Sequence, residues 1–283
     1  MSQKKPNNDL KIAIWSIVVV IIVIGAIVAV KLANDNTSIT NTGASLASPE
    51  LMAKITSLES SLFESTGQGT ATKLPQPLPS GTPALTSNGK PEILFVGAEY
   101  CPYCATERWP MVIALSRFGT FTNLGLTTSS ATDVYPSTAT FAFHGSSYDS
   151  KYIVFTPVEE TTNQPDGSGG YVKLDTPTAE QQALITAYDT PPYVPASSKG
   201  SIPFIYFGGQ FLIAGSTYDP SVLQGKTQDE IASELSDPTS DISKGAVGAA
   251  NSITAAICTM TKYQPSNVCN TSMIKSLQAK IGS

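Results

Sequence analysis

Histidine is nearly absent from this sequence, which has only one, His144, in 283 residues. Structural zinc is usually held by four cysteine or histidine ligands, often arranged as two CxxC pairs. Here there is a single CxxC, and the other two cysteines, Cys258 and Cys269, lie far from it with a spacing unlike that of a ligand pair. The sequence therefore predicts no structural metal site.

Charge is sparse as well. Charged residues make up 14% of the chain, and the net charge is −5. Binding to nucleic acid needs a basic surface that neutralises phosphates, and no such surface can be built from this composition. We therefore expect no nucleic-acid partner. The length is typical of one sizeable folded domain with additional segments.

One apolar run stands apart from the rest, because residues 12–30 contain no charge. As a helix this run would be about 28 Å long, enough to cross a hydrocarbon core of about 30 Å. A cleaved signal peptide would have a shorter apolar region and a small-residue cleavage site. Lysines are more frequent before the run than after it, which keeps residues 1–11 in the cytoplasm. We expect a single-pass anchor in the cell membrane, with the following chain extracytoplasmic.

Residues 31–84 are predicted to form an extracytoplasmic stalk. Four apolar residues recur at helical spacing, Leu51, Ile55, Leu58 and Leu62. This pattern predicts a short amphipathic helix, which more often packs on its own domain than mediates dimerisation. A Pro-rich linker follows, so we expect the folded domain at 85–283. All four cysteines lie after the anchor, which suits an oxidising compartment.

A strand-like apolar run at Glu92–Gly97 is followed at once by Cys101-Pro102-Tyr103-Cys104 and then by a helical pattern containing Pro110. This order places the first sulfur at a helix N-terminus, where unpaired N–H groups stabilise a thiolate. We therefore predict that Cys101 is a nucleophile and that Cys104 resolves its adducts. Strand, CxxC and helix, with a kink at the proline, is the order that a thioredoxin fold requires.

Three functions are compatible with such a pair. The favoured one is thiol–disulfide exchange on extracytoplasmic protein thiols or disulfides, which needs no bound cofactor. The second is a membrane-tethered protein that handles Cu(I) with the same two thiolates. The third is a non-catalytic surface interaction module. The sequence does not fix the direction of electron flow, so oxidase, isomerase and reductase all stay open, as does a membrane redox partner.

A second element consists of Ile202-Pro203, an apolar run, a Gly208-Gly209 turn and another apolar run, a pattern that predicts a β-hairpin. It resembles the cis-proline hairpin of thioredoxins. The resemblance implies that Pro203 faces the CxxC and that the backbone of Ile202 pairs with a bound peptide. Pro102 and Tyr103, inside the CxxC, are then expected to contact the substrate as well.

Three stretches together, GAEYCPYCATERWP, SIPFIYFGGQF and the one that begins at Val134-Tyr135-Pro136, resemble the membrane-anchored thioredoxin-like family catalogued as domain of unknown function 929, which is chiefly archaeal. The resemblance implies an α/β, thioredoxin-like fold and two functional cysteines, without a substrate. The chain between Cys104 and Pro203 is longer than that fold needs, so we expect an insertion at about 120–199.

Other residues have more ordinary interpretations. His144 is expected to be a surface or packing residue, and Trp109 a core residue. Glu99 and Glu107 flank the CxxC, and solvated carboxylates are the commoner case there. Cys258 and Cys269 are expected to form a structural disulfide that stabilises the fold by about 3 kcal/mol, a second exchange pair being the alternative.

Overall fold

A computed structural model describes residues 45–282, which fold around a mixed β-sheet with helices on both faces. The eight helices of this region are α1 Pro49–Thr56, α2 Ser60–Thr66, α3 Pro102–Leu115, α4 Ala179–Tyr188, α5 Gln228–Glu234, α6 Asp241–Met260, α7 Ser266–Cys269 and α8 Ser272–Ile281. The strands are β1 Gln76–Pro77, β2 Thr86–Ser87, β3 Lys90–Gly97, β4 Thr120–Thr122, β5 Gly125–Thr128, β6 Ala139–Ala142, β7 Ser147–Asp149, β8 Val154–Glu159, β9 Thr161–Pro165, β10 Tyr171–Lys173, β11 Phe204–Phe207 and β12 Phe211–Ala214.

The predicted membrane span at residues 12–30, with the segment 1–11 before it, lies outside the described residues. Among the helices of residues 45–282, none has both the length and the apolar character needed to cross a membrane.

The centre of the sheet has the strand order β8–β3–β11–β12. Strand β8 runs parallel to β3, while β11 is antiparallel to β3 and β12 is antiparallel to β11. Short strands extend the sheet, β1 beside β12 and β2 beside the start of β3. The β2–β3 turn is Asn88-Gly89, with φ of 52° and 73°. These two residue types tolerate the left-handed region that a tight hairpin turn requires.

Alternate residues of the central strands face two separate apolar layers, as the period of a strand dictates. One face, including Ile93 and Phe95, packs with α3 and α6 in the larger core. The opposite face, including Leu94 and Val96, packs with apolar residues of α4. Because both faces are covered, β3 is buried from Ile93 onward and holds its carboxyl end rigidly. The residues that follow this end include the CxxC.

The segment expected to be a separate stalk packs on the same core from residue 45 onward. Two helices replace the single one expected: Leu51 and Ile55 are buried on α1, and Leu62 and Phe63 on α2. Within the expected linker, β1 pairs with β12 as an edge strand, a position that tolerates proline. The domain boundary therefore lies before Leu85, because these apolar side chains are covered by α5 and α6.

The stretch at about 120–199 also differs from the expected insertion. It supplies β8, the parallel neighbour of β3, and α4, which covers the second face of the sheet. The rest forms three two-stranded sheets, β4–β7, β5–β6 and β9–β10. A parallel strand pair needs a long crossover connection, and here α3 with the first two of these sheets provides it. Of the strands in this stretch, only those of the three small sheets lie outside the central sheet.

Candidate functional site

Cys101 is the N-cap residue of α3 and follows the carboxyl end of β3 by four residues. Its Sγ accepts a hydrogen bond from the Cys104 backbone N–H at 3.3 Å. Pro102 occupies the first turn, where an N–H would have no helical partner. At Gly97 a Cβ atom would lie 2.7 Å from the Phe95 ring and 3.2 Å from the Cys104 Sγ, so glycine leaves room for the second thiol.

The two thiols of the CxxC are unbonded and have different environments. A hydrogen bond from the Cys104 side chain is the main cause that lowers the pKa of the Cys101 thiol, against the opposing effect of burial. Burial raises the pKa of the Cys104 thiol. The Cys101 thiol therefore has the lower pKa of the two. This division suits an attacking thiol and a resolving thiol.

The peptide bond between Ile202 and Pro203 is cis and lies against the CxxC. The Cys101 thiol donates to the Ile202 carbonyl oxygen at 3.7 Å, although the two residues are 101 positions apart. The Pro203 carbonyl oxygen accepts from the Gly215 N–H at 2.8 Å, which fixes the start of β11 against the end of β12. The structure thus brings Cys101, Cys104, Ile202 and Pro203 together.

Four tyrosines and one exposed valine lie in and around the CxxC, and we call Tyr100, Tyr103, Val134, Tyr135 and Tyr171 the rim. Tyr103 is 40% exposed and meets Tyr135 edge to face, with ring centroids 6.0 Å apart. Val134 is 62% exposed. Tyr100 stacks on Tyr171 at 4.3 Å. The positions of Tyr135 and Tyr171 were not predicted, because both residues come from the stretch expected to be an insertion.

A buried ion pair joins the helix of the CxxC to the end of β8. Arg108 donates from Nε and Nη2 to the two carboxylate oxygens of Glu159, at 2.8 Å and 2.7 Å. Its Nη2 also donates to the Ala98 carbonyl oxygen at 2.8 Å. Burial lowers the pKa of Arg108, but the Glu159 carboxylate more than reverses this effect, so the pKa is raised. The guanidinium is therefore a permanent positive charge beneath the pair.

Glu99 and Glu107, which we expected in solvent, are both buried. The Glu107 Oε2 accepts from the backbone N–H and the hydroxyl of Thr217, both at 2.8 Å, while Oε1 has no partner among the described residues. Burial raises the pKa of Glu107 to about 8 and also raises the pKa of Glu99. Glu107 therefore stays neutral at neutral pH and adds no negative charge near the thiols.

Pro110 lies inside α3 without ending the helix, which continues to Leu115. A proline lacks the N–H that the carbonyl four residues earlier would accept. Here the Tyr218 hydroxyl donates to the Thr106 carbonyl oxygen at 3.2 Å in its place. The helix that carries the CxxC is thus tied to the loop after β12.

Residues 80–259 match the protein family described as Domain of unknown function (DUF929). The chain belongs to this family. No curated protein and no solved structure matches it. The DUF929 region includes both cysteines of the CxxC and the Ile202–Pro203 bond, and it ends between Cys258 and Cys269. Since the family description states no function, a function has to be argued from the geometry of this site.

His144 lies outside the immediate site of the DUF929 domain and is partly exposed. Its Nδ1 is 2.9 Å from the Asp175 Oδ1, and the Asp175 Oδ2 accepts from the Glu159 backbone N–H at 3.0 Å. The histidine therefore helps hold the end of β8, where Glu159 lies. Trp109 is fully buried, and its Nε1 donates to the Ala139 carbonyl oxygen at 3.0 Å.

The other two cysteines form a disulfide with a Cα–Cα distance of 5.4 Å. Cys258 lies near the C-terminal end of α6, and Cys269 is the last residue of α7. Helix C-termini carry partial negative charge, which disfavours a thiolate. Both residues are buried, and the adjoining α8 packs on α6.

Within residues 45–282 no group of three or more histidine, cysteine, aspartate or glutamate side chains could hold a metal ion. A two-coordinate thiolate site for Cu(I) would need only the CxxC, so this observation does not bear on it.

Proposed function

We propose that the chain is a thiol–disulfide oxidoreductase that acts on protein thiols or disulfides through Cys101 and Cys104. One observation carries the proposal: a helix-capping thiol with a lowered pKa lies 3.7 Å from the Ile202 carbonyl oxygen, just before cis Pro203. A nucleophilic sulfur is thus placed beside a stretch of backbone to which an extended substrate segment can add as a strand.

A thioredoxin-like core is part of this proposal. It is supported by the succession β3, α3, β8, α4, β11, β12 and α6, and by the strand order β8–β3–β11–β12. The helices α3 and α6 on one face and α4 on the other agree with the same core. Because a fold hosts many functions, the geometry at Cys101 remains the stronger argument.

The chemistry balances within the pair and its substrate. The Cys101 thiolate attacks one sulfur of a substrate disulfide, forms a mixed disulfide and releases the other sulfur as a thiolate. Cys104 then loses its proton, attacks the Cys101 Sγ and expels the second substrate thiolate. The substrate has gained two electrons and two protons, and Cys101 and Cys104 are now bonded. The reverse sequence oxidises a substrate dithiol.

We also propose that the domain lies outside the cytoplasm, anchored through residues 12–30. The uncharged run supports the anchor, and the Cys258–Cys269 disulfide supports an oxidising compartment. Protease added to intact cells should digest the domain and leave the anchor. A domain that resists until the membrane is broken would contradict this orientation.

The test of the proposed activity is trapping of the mixed disulfide. In Cys104→Ser the attacking thiol remains but the resolving thiol is lost, so adducts with substrate proteins should accumulate on Cys101. Cys101→Ser is the matched control and should accumulate none. Adducts are counted on non-reducing gels and located by mass spectrometry.

If the two variants behave alike, and the wild type exchanges with no protein disulfide in either direction, the proposal is wrong. Binding of one Cu(I) per Cys101–Cys104 pair under the same conditions would then favour the metal-handling alternative.

A further inference from the structure

The sequence contains only two arginines, Arg108 and Arg117. Arg108 lies one helical turn after Cys104, and residues four apart on a helix are neighbours. Its side chain is fully buried, and its Nη1 has no hydrogen-bond acceptor among the described residues. A buried cation with an unused donor is costly unless a nearby group can carry negative charge. The CxxC provides such a group when it is reduced.

We propose that Arg108 is a positioning residue that stabilises the thiolates of the reduced Cys101–Cys104 pair, so that the pair accepts electrons from protein dithiols. This inference rests on the proposed function and adds a direction to it. A dithiol pair whose reduced form is stabilised is the better oxidant, because its disulfide is correspondingly easier to reduce.

Among the charged side chains near the CxxC, we expect Arg108 to have the largest electrostatic effect on the two thiols. Glu159 takes up two donors of the guanidinium but lies at the end of β8, a strand away from the thiols. Glu107 accepts hydrogen bonds from Thr217, and burial raises the pKa of Glu99. The charge of Arg108 lowers the pKa of Cys101 and opposes the burial that raises the pKa of Cys104.

The proposed step begins with the Cys101–Cys104 disulfide. A substrate thiolate attacks the Cys101 Sγ, the S–S bond breaks, and Cys104 leaves as a thiolate with the bonding electron pair and then takes a proton. A second substrate thiolate attacks the substrate sulfur of the mixed disulfide and expels Cys101 as a thiolate. The substrate loses two electrons and two protons, and the pair gains the two electrons. Arg108 stabilises both leaving groups electrostatically.

The test compares two neutral variants of the ion pair in the full-length protein. Arg108→Gln should shift the equilibrium with glutathione roughly tenfold toward the disulfide form, the scale of one buried charge at a few ångströms. Glu159→Gln leaves Arg108 uncompensated and should shift it the opposite way. The pH dependence of Cys101 alkylation should change in parallel with the glutathione equilibrium. The pKa of the Cys101 thiol should rise in Arg108→Gln and fall in Glu159→Gln.

Arg117→Gln is the matched control. This second arginine is half-buried, with its guanidinium over the Phe63 ring at 4.2 Å, but it lies beyond the end of α3. Its loss should lower stability and leave the glutathione equilibrium unchanged. Arg108→Lys, which keeps the charge but loses the bidentate contact with Glu159, should shift the equilibrium less than Arg108→Gln does.

Equal shifts in the same direction for Arg108→Gln and Glu159→Gln, or none in either, would overturn the inference. If Arg108→Gln does not fold, Arg108→Met combined with Glu159→Met removes both buried charges together, and a smaller shift toward the disulfide is expected, because the loss of the Glu159 charge partly offsets the loss of the Arg108 charge. If the wild type exchanges with glutathione and protein disulfides but the Arg108 and Glu159 variants do not differ from it, only this inference is wrong. If the wild type does not exchange at all, the proposed function itself is wrong.

Discussion

The two cysteine pairs of this chain occupy opposite ends of helices. Cys101 caps the beginning of α3, where backbone N–H groups are free to stabilise a thiolate, and Cys104 is one turn further on. Cys258 and Cys269 lie at the C-terminal ends of α6 and α7, where free carbonyls disfavour one. The comparison teaches that the chemistry of each pair is set by its place on a helix and by the charges around it.

Their surroundings differ in the same sense. The CxxC has a buried guanidinium beside it and the partly exposed rim around it. The C-terminal disulfide is fully enclosed between α6 and the short helices that follow. We therefore expect reactivity at the first pair and stability from the second, and each experiment below separates these two roles.

The largest effect should come from removing the nucleophile. Cys101→Ala should reduce disulfide exchange with a fluorescent peptide disulfide by at least about 1000-fold, because the attacking sulfur is lost. Cys258→Ala combined with Cys269→Ala should keep the exchange rate per folded molecule within about twofold. A loss of exchange in that double variant, with its circular dichroism unchanged, would make the C-terminal pair part of the redox pathway.

The free energy of unfolding should show the reverse order, depending more on the C-terminal disulfide than on the CxxC thiols. Losing the Cys258–Cys269 bond should lower the free energy of unfolding by about 3 kcal/mol, as expected for a loop of this size. Urea denaturation measures this difference. Under reducing conditions Cys101→Ala combined with Cys104→Ala is the control and should change stability by less than about 1 kcal/mol. Equal losses of unfolding free energy in both double variants would show that the C-terminal disulfide has no special structural role.

Glu107 should make the stability of the domain depend on pH. Burial raises its folded pKa to about 8 from an ordinary value of 4.5, so between these values the folded state holds a proton that the unfolded chain has lost. The stabilisation is complete below the ordinary value and is lost as the pH rises through about 8. From about pH 6 to pH 9 the unfolding free energy should fall by about 3 kcal/mol.

Glu107→Gln keeps an acceptor for Thr217 but has no proton to lose, so this part of the pH dependence should disappear. Urea denaturation of both proteins at several pH values gives the comparison. If the wild type and Glu107→Gln show the same slope, Glu107 does not titrate in this range.

The smallest effect concerns the rim. Val134→Ser should lower kcat/KM for an unfolded protein substrate by roughly threefold to tenfold, since about 1 kcal/mol of apolar contact is lost. Exchange with a small disulfide such as oxidised glutathione should not change. Tyr263→Ser is the control, because Tyr263 is 52% exposed but belongs to the C-terminal disulfide region. A similar loss in both variants would show that the rim has no special role.

Local pattern was enough to place the two halves of the site. The apolar run before Cys101 forms β3, the run after Pro203 forms the β11–β12 hairpin, and α4 follows a local helix-start signal. Each of these elements is encoded by residues close in sequence, through alternation, turn residues or a capping box at Thr178. The mixed α/β class followed from the same signals.

The charged groups beneath the site could not be predicted in this way. From the sequence alone, Arg108 would be taken for a surface residue of a helix. The pairing of β8 with β3 brings Glu159, 51 positions later, beside it. Glu107 likewise depends on Thr217. Burial of a charge is decided by distant partners, which neither periodicity nor spacing reveals. The same holds for Tyr135 and Tyr171, which contact Tyr103 and Tyr100 respectively only in the folded chain.

The contacts of the two cysteine pairs span very different lengths of chain. We therefore expect them to form at different stages of folding. Cys258 and Cys269 are 11 residues apart, whereas Cys101 meets Ile202 across 101 residues. Closing the longer loop costs about 2 kcal/mol more in chain entropy, and that cost is recovered only when β8 and β11 have paired with β3. A partly folded chain therefore carries two thiols without the Ile202 carbonyl beside them, and its CxxC becomes a selective site only as the sheet closes.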